Sequence, residues 1–110
     1  MPEDGCIVVL VTVGSREEAG RIATTLVGEH LAACVNIVAA VESVYWWEGR
    51  VHQDAEVLLI IKTRAAHWSA LEARVRALHS YQNPEVIALP ITAGSQAYLD
   101  WVRGSTPEGG

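Results

Sequence analysis

Two groups of residues carry the side chains that could do chemistry in this 110-residue chain. His79, Tyr81 and Glu85 fall within one short stretch, interrupted by Pro84, between a helical pattern and an apolar run. An imidazole, a phenol and a carboxylate on a connection between rigid elements offer lone pairs to a ligand or a metal ion. Tyr45, Trp47 and Glu48 form the second group, with Glu56 across a turn signal. Aromatic residues at a hairpin tip are apolar for a place in water, which points to an interface or a ligand contact. Lys62 ends an apolar run, where its ammonium group suits either a carboxylate partner or an anion.

Other chemistry lacks its motif. The chain has no G-x-S-x-G elbow, P-loop, G-x-G-x-x-G, H-E-x-x-H or C-x-x-C, and no histidine pair at helical i, i+4 spacing. Cys6 and Cys34 sit inside apolar runs and read as buried thiols of a reducing compartment. His30 and His79 fall near helix C-termini, where a partly cationic ring complements the dipole, while His52 and His67 read as solvated. A net charge of −5, with the eight basic residues scattered, argues against nucleic acid. No apolar run reaches the ~20 residues that span a bilayer, and the acidic start has no signal-peptide pattern. The expected setting is therefore cytoplasmic, and the expected class is not an enzyme.

The elements that must position these residues follow from periodicity. Residues 6–13 are a β-branched run stopped by Gly14-Ser15. Ser15 and Glu18 form a capping box, with the serine hydroxyl accepting from the third N–H and Glu18 reaching back. Ala19, Ile22, Ala23, Leu26 and Val27 then recur at helical spacing. A long strand follows from Ala33 to Trp47, with Ala39-Ala40 marking a bend or bulge. Glu48-Gly49-Arg50 turns it toward a third strand at 56–63 (EVLLIIKT). Trp68, Leu71, Val75 and Leu78 make a second helical stripe, closed before Pro84. Residues 86–91 form a fourth strand, and Ser95 caps a short helix bearing Tyr98, Leu99 and Val102. Residues 1–103 read as one domain, and 104–110 as a flexible tail.

Strand, helix, strand, strand, helix, strand is the split βαβ arrangement, an α+β ferredoxin-like βαββαβ sandwich with a short C-terminal helix. Its helices cover one face of an antiparallel sheet, and a sheet wet on its other face should alternate apolar with polar. Residues 7–11 (IVVLV) and 57–61 (VLLII) do not alternate. Both faces therefore call for cover, which self-association into a closed ring supplies.

Five stretches, read in order, resemble the CutA divalent-cation tolerance family. They are Leu31-Ala32-Ala33-Cys34-Val35-Asn36-Ile37, Tyr45-Trp46-Trp47-Glu48-Gly49, residues 56–63, residues 84–91, and Tyr98-Leu99-Asp100-Trp101. The resemblance implies a homotrimer and a link to divalent-cation tolerance, with copper the metal usually named. It implies no catalytic reaction. A polar cleft near the subunit boundary would take Tyr45, Trp47, Glu48, Glu56, Lys62, His79, Tyr81, Glu85 and Trp101. On ligand type, His79 with Glu85 is the expected copper pair. The family's likeness to trimeric PII proteins implies an alternative, a sensor or adaptor binding a small anionic metabolite between subunits. Two departures stand out. Ser80 replaces the proline of a His-Pro-Tyr pattern, and Val11 stands where some members carry cysteine.

Overall fold

The computed structural model describes residues 5–108. Four strands and three helices alternate as β1 (Cys6–Val13), α1 (Arg16–Gly28), β2 (Cys34–Trp47), β3 (Arg50–Arg64), α2 (Trp68–Leu78), β4 (Val86–Pro90) and α3 (Gln96–Ser105). The strands form one antiparallel sheet in the order β2-β3-β1-β4. The mixed α+β class and the element order expected from periodicity are both present.

Side-chain alternation explains which face each strand commits. Ile7, Val9, Val11 and Val13 of β1, with Val57, Leu59 and Ile61 of β3, are buried against Ala19, Ile22, Leu26, Leu71 and Val75 of the two long helices. Each fully buried aliphatic side chain contributes about 2 kcal/mol of transfer free energy, so this layer dominates the stability. On the other face Leu10 pairs with Ile60 and Ile87, and Val8 with Lys62 and Leu89. Ile87 and Leu89 remain 48% and 50% exposed there. The apolar lining of that second face is real, and no helix of the chain covers all of it. α3 packs only at one end, where Val102 joins Cys6 and Ala33.

β2 and β3 run well past the rest of the sheet. β1 pairs with β3 only from Val57 to Arg64, leaving 50–56 of β3 and 41–47 of β2 as a two-stranded arm. Pairing jumps from Val38–Leu58 to Val41–Glu56, so Ala39 and Ala40 supply the expected bulge. Glu48 and Gly49 take φ of 51° and 76°, the left-handed pair of a two-residue hairpin turn that glycine accepts without strain. The third strand thus begins at Arg50, not at Glu56. Residues 50–55 look like a polar lead-in to the eye, but they are strand because each is paired across the arm.

The reading of 104–110 as a flexible tail is corrected for its described part. Gly104 and Ser105 complete α3, and Thr106 is fully buried with its Oγ1 donating to the Val102 carbonyl at 2.7 Å. His67 and Arg64 hold the same segment: His67 Nε2 lies 2.9 Å from the Thr106 oxygen, and Arg64 donates to the Arg103 carbonyl at 2.6 Å. Gly109 and Gly110 lie outside the described residues, as do 1–4.

Candidate functional site

The capping box forms by half. Ser15 Oγ accepts from the Glu18 N–H at 3.2 Å, as its position requires. Glu18 does not reach back to the cap. Its buried carboxylate instead accepts from Ser80, with Oε2 2.8 Å from the backbone nitrogen and Oε1 2.9 Å from the hydroxyl. Two charge-assisted bonds to a segment far along the chain outweigh one local bond at a helix end.

That clamp holds the connection that carries His79 and Tyr81. The His79 side chain has no exposed surface, and both of its ring nitrogens are engaged. Nε2 lies 2.8 Å from the Thr12 carbonyl, and Nδ1 accepts from the Tyr81 N–H at 3.0 Å. Such a pattern fixes the neutral ring with its proton on Nε2. Glu18 Oε2 stands 3.5 Å from Nδ1. The expectation that His79 and Glu85 bind copper as a pair is therefore corrected at His79. Its only lone pair is occupied by a backbone N–H, in a place closed to solvent. His30 and His67 are tied to carbonyls of the α3 segment, so the solvated reading of His67 is also corrected, while His52, on the exposed arm, has Nε2 3.1 Å from the Trp47 oxygen.

In front of His79, between the arm and the connection, lies an open cleft of about 970 Å³. Tyr45, Trp47, Asp54 and Glu56, which share one face of the arm, line it with Tyr81 and Glu85 of the connection, together with Thr12 and Gly14. Tyr81 Oη donates to Glu56 Oε2 at 2.7 Å and so ties the two walls together. Gly14 makes room for that phenol: a Cβ at this position would stand 3.2 Å from Tyr81 Oη. Tyr45 Oη donates to Asp54 Oδ2, and its ring stacks on His52 with centroids 5.7 Å apart. Burial and then the Glu56 bond push the Tyr81 phenol well above its usual value. For Tyr45 the Asp54 bond is the leading cause of a shift in the same direction. Both phenols are consequently neutral donors.

Charge in the cleft is of one sign. Glu42, Asp54, Glu56 and Glu85 line it, and no Lys, Arg or His does. Among the described residues none of the four is in an ion pair. Their donors are neutral: Tyr45, Tyr81 and, for Glu42, the Gln53 amide at 2.7 Å. Nor do the carboxylates converge, since among the described residues no three His, Cys, Asp or Glu side chains are placed to hold one metal ion.

Of the residues assigned to one cleft by resemblance, Tyr45, Trp47, Glu56, Tyr81 and Glu85 do line this space. Glu48 sits at the arm's turn and does not line it. Lys62 and Trp101 are at the far end of the sheet. Lys62 lies opposite Cys34 and donates to Asn36 Oδ1, six residues or about 20 Å along β3 from Glu56. Trp101 packs on Tyr98 with centroids 5.5 Å apart, and burial followed by the neighbouring Cys34 raises the Tyr98 phenol. Asp54 and Glu42 were not singled out from the sequence. Period-two alternation from Glu56 places Asp54 on the same face and could have found it. Glu42 carries no such signal.

Comparison with known proteins gives a consistent family. The CutA1 divalent ion tolerance protein model matches residues 7–105. A rice protein named CutA 1, chloroplastic, is 57% identical over 102 residues, covering 93% of this chain and 58% of that protein. The divalent-cation tolerance protein CutA of Thermus thermophilus is 52% identical over 99 residues, covering 90% of this chain and 96% of its own length. The chain thus spans little more than half of the plant relatives and nearly all of the bacterial one. The crystal structure of the rice CutA1 superposes with a TM-score of 0.92 at 56% identity, covering 94% of this chain and 95% of that one. The Thermus thermophilus structure gives 0.90 at 51%, with 93% and 99% covered.

Proposed function

We propose that this chain, which belongs to the CutA1 divalent ion tolerance family, serves divalent-cation tolerance as a homotrimer that takes up cations at the acidic cleft. The observation that carries the reading is the sign of the lining: every charged side chain there is a carboxylate, and none is ion-paired within the described residues. Unpaired carboxylates gathered around low-dielectric aromatic walls focus a negative potential and raise the local concentration of cations. An anionic metabolite would meet that same field, and Lys62, the cation suited to receive it, stands about 20 Å away along β3. The cation reading is therefore favoured over the PII-like one.

The donors present do not fit a copper-selective centre. A copper(II)-selective site sets imidazole nitrogens among its oxygen ligands, whereas this cleft offers carboxylate and phenol oxygens alone, with His79 committed behind it. Oxygen ligands suit hard divalent ions such as Mn(II) or Mg(II), which retain several waters and need only one or two carboxylates. The trimer is supported by the uncovered sheet face of Val8, Leu10, Ile60, Ile87 and Leu89, which three copies turned inward around a three-fold axis would dry together.

Calorimetric titration of Mn(II) and Cu(II) into untagged parent, Glu56→Gln, Glu85→Gln and His79→Gln proteins tests this. Mn(II) binding should weaken severalfold in each glutamate variant, and Cu(II) should show no imidazole-dependent tight phase. Mn(II) affinity unchanged in both glutamate variants would remove the cleft from consideration, and Cu(II) binding lost in folded His79→Gln would restore the imidazole as a ligand.

A further inference from the structure

We propose that the preferred occupant of the cleft is an extended organic polyammonium ion, a linear di- or triamine, and not a single metal ion. This rests on the reading of the cleft as a cation site and names the class of cation. Three features separate a point charge from a spread one.

The first is the dispersal of the carboxylates. A metal ion held directly by protein needs several donors converging within about 2–2.6 Å of one point. Among the described residues no three His, Cys, Asp or Glu side chains converge so, and a hydrated ion would touch only one or two carboxylates at a time. Asp54 and Glu56 belong to the arm and Glu85 to the opposite wall. A chain with ammonium groups several methylenes apart meets separated carboxylates one by one, each ammonium supplying three donors.

The second is the aromatic wall. Tyr45, Trp47 and Tyr81 are each more than a third exposed, at 39%, 43% and 38%. Aromatic faces attract ammonium groups within about 6 Å of the ring centre and also cover the methylenes between them. A hydrated metal ion gains little from such a wall. Two of these rings are backed by histidines, Tyr45 by His52 at 5.7 Å and Tyr81 by His79 at 4.7 Å. Their positions are thus fixed before a ligand arrives, which lowers the entropy lost on binding.

The third is the state of the carboxylates. Asp54 and Glu56 each accept one phenolic proton, which orients the group without neutralising it. A carboxylate has about four acceptor directions, so most remain for a ligand. The size of the cleft, about 970 Å³, exceeds what one hydrated metal ion fills and lies within the range of small-molecule sites.

Spermidine is a suitable probe, titrated calorimetrically and by tryptophan fluorescence into the parent at 0.15 M NaCl, alongside Mn(II) alone and n-butylamine. Spermidine should bind at a stoichiometry of one per cleft, more tightly than either comparison, and Mn(II) should compete with it. Trp47→Leu keeps every charge, and Glu85→Gln alters the wall opposite the arm; each should weaken spermidine by fivefold or more, about 1 kcal/mol. If Trp47→Leu disturbs the arm, Glu85→Gln decides. Mn(II) binding in the cleft with no spermidine binding would overturn this inference and leave the cation reading standing. Spermidine binding equally to parent and both variants would show adventitious attraction to an acidic surface, and overturn it too. Failure of both probes would defeat the inference and the reading together.

Discussion

Replacing Glu18 with alanine should cost this fold about 3 kcal/mol, although the residue lies at the first turn of a helix where glutamate is commonplace. The figure follows from what its carboxylate does. It accepts from the Ser80 amide at 2.8 Å and the Ser80 hydroxyl at 2.9 Å, from a buried position. A hydrogen bond to a charged group contributes roughly 1.5–3 kcal/mol net. Two such bonds sharing one acceptor are not additive, and Ser80 is exposed enough for water to replace part of them, so about 3 kcal/mol is the expected sum. Glu18→Gln keeps an acceptor for one of the two donors and should cost about half as much. Urea denaturation followed by far-ultraviolet dichroism, at one fixed chain concentration so that any self-association enters every variant alike, reads the loss as a lower midpoint at constant slope. A Glu18→Ala midpoint within about 0.5 kcal/mol of the parent, the range of ordinary surface changes, would refute the clamp. The Ser80 bonds would then be incidental to the position of Tyr81.

Two neighbouring residues of β3 should behave oppositely when made lysine. Leu59 is fully buried toward the helices, so Leu59→Lys places an unpaired charge in the core and should abolish cooperative folding. Ile60 lies on the uncovered face beside Leu10, so Ile60→Lys should leave a folded subunit that light scattering finds dissociated, and an undiminished trimer there would exclude this face from assembly. The three tyrosines are all raised, Tyr45 by its bond to Asp54, Tyr81 and Tyr98 first by burial. Raised phenols stabilise the fold fully below the unfolded value of about 10, and that contribution is lost as pH climbs beyond it. Absorbance at 295 nm should accordingly show tyrosinate in the folded protein only at higher pH than in guanidinium, and coincident curves would contradict the two carboxylate bonds.

Legibility from the sequence followed the range of the interaction that decides each feature. The helices, the bulge at Ala39-Ala40 and the two-residue turn at Glu48-Gly49 are set by neighbours within a few positions, and all are found. The apolar lining of both sheet faces was also readable, because failed alternation needs no partner to be seen. Glu18, His79 and Thr106 were misjudged for one shared reason. Each has a short-range reading, as a cap, a ligand and a tail, and each is captured by a partner across the fold: Ser80, Thr12 and the Arg64–His67 corner. Nothing in spacing reveals that competition. Lys62 and Trp101 were grouped with the cleft by resemblance, and within one subunit they stand at the opposite end of the sheet.

That separation bears on how a trimer would complete the site. In a ring built through the uncovered faces, the arm of one subunit reaches beyond its own sheet by the paired length of 41–47 with 50–56, about 20 Å. The distance from Glu56 to Lys62 along β3 is about the same. An arm laid along a neighbour could therefore bring one subunit's carboxylates toward the next subunit's Lys62 and Trp101 end. Lys62 would then serve as an internal counter-charge, and its removal should tighten cation binding in the trimer while leaving the isolated subunit unchanged. Lys62→Met provides the measurement: spermidine or Mn(II) affinity should rise in the assembled protein, and not in the Ile60→Lys background. An unchanged affinity in the trimer would keep Lys62 with Asn36, where the single chain holds it, and leave the acidic cleft complete within one subunit.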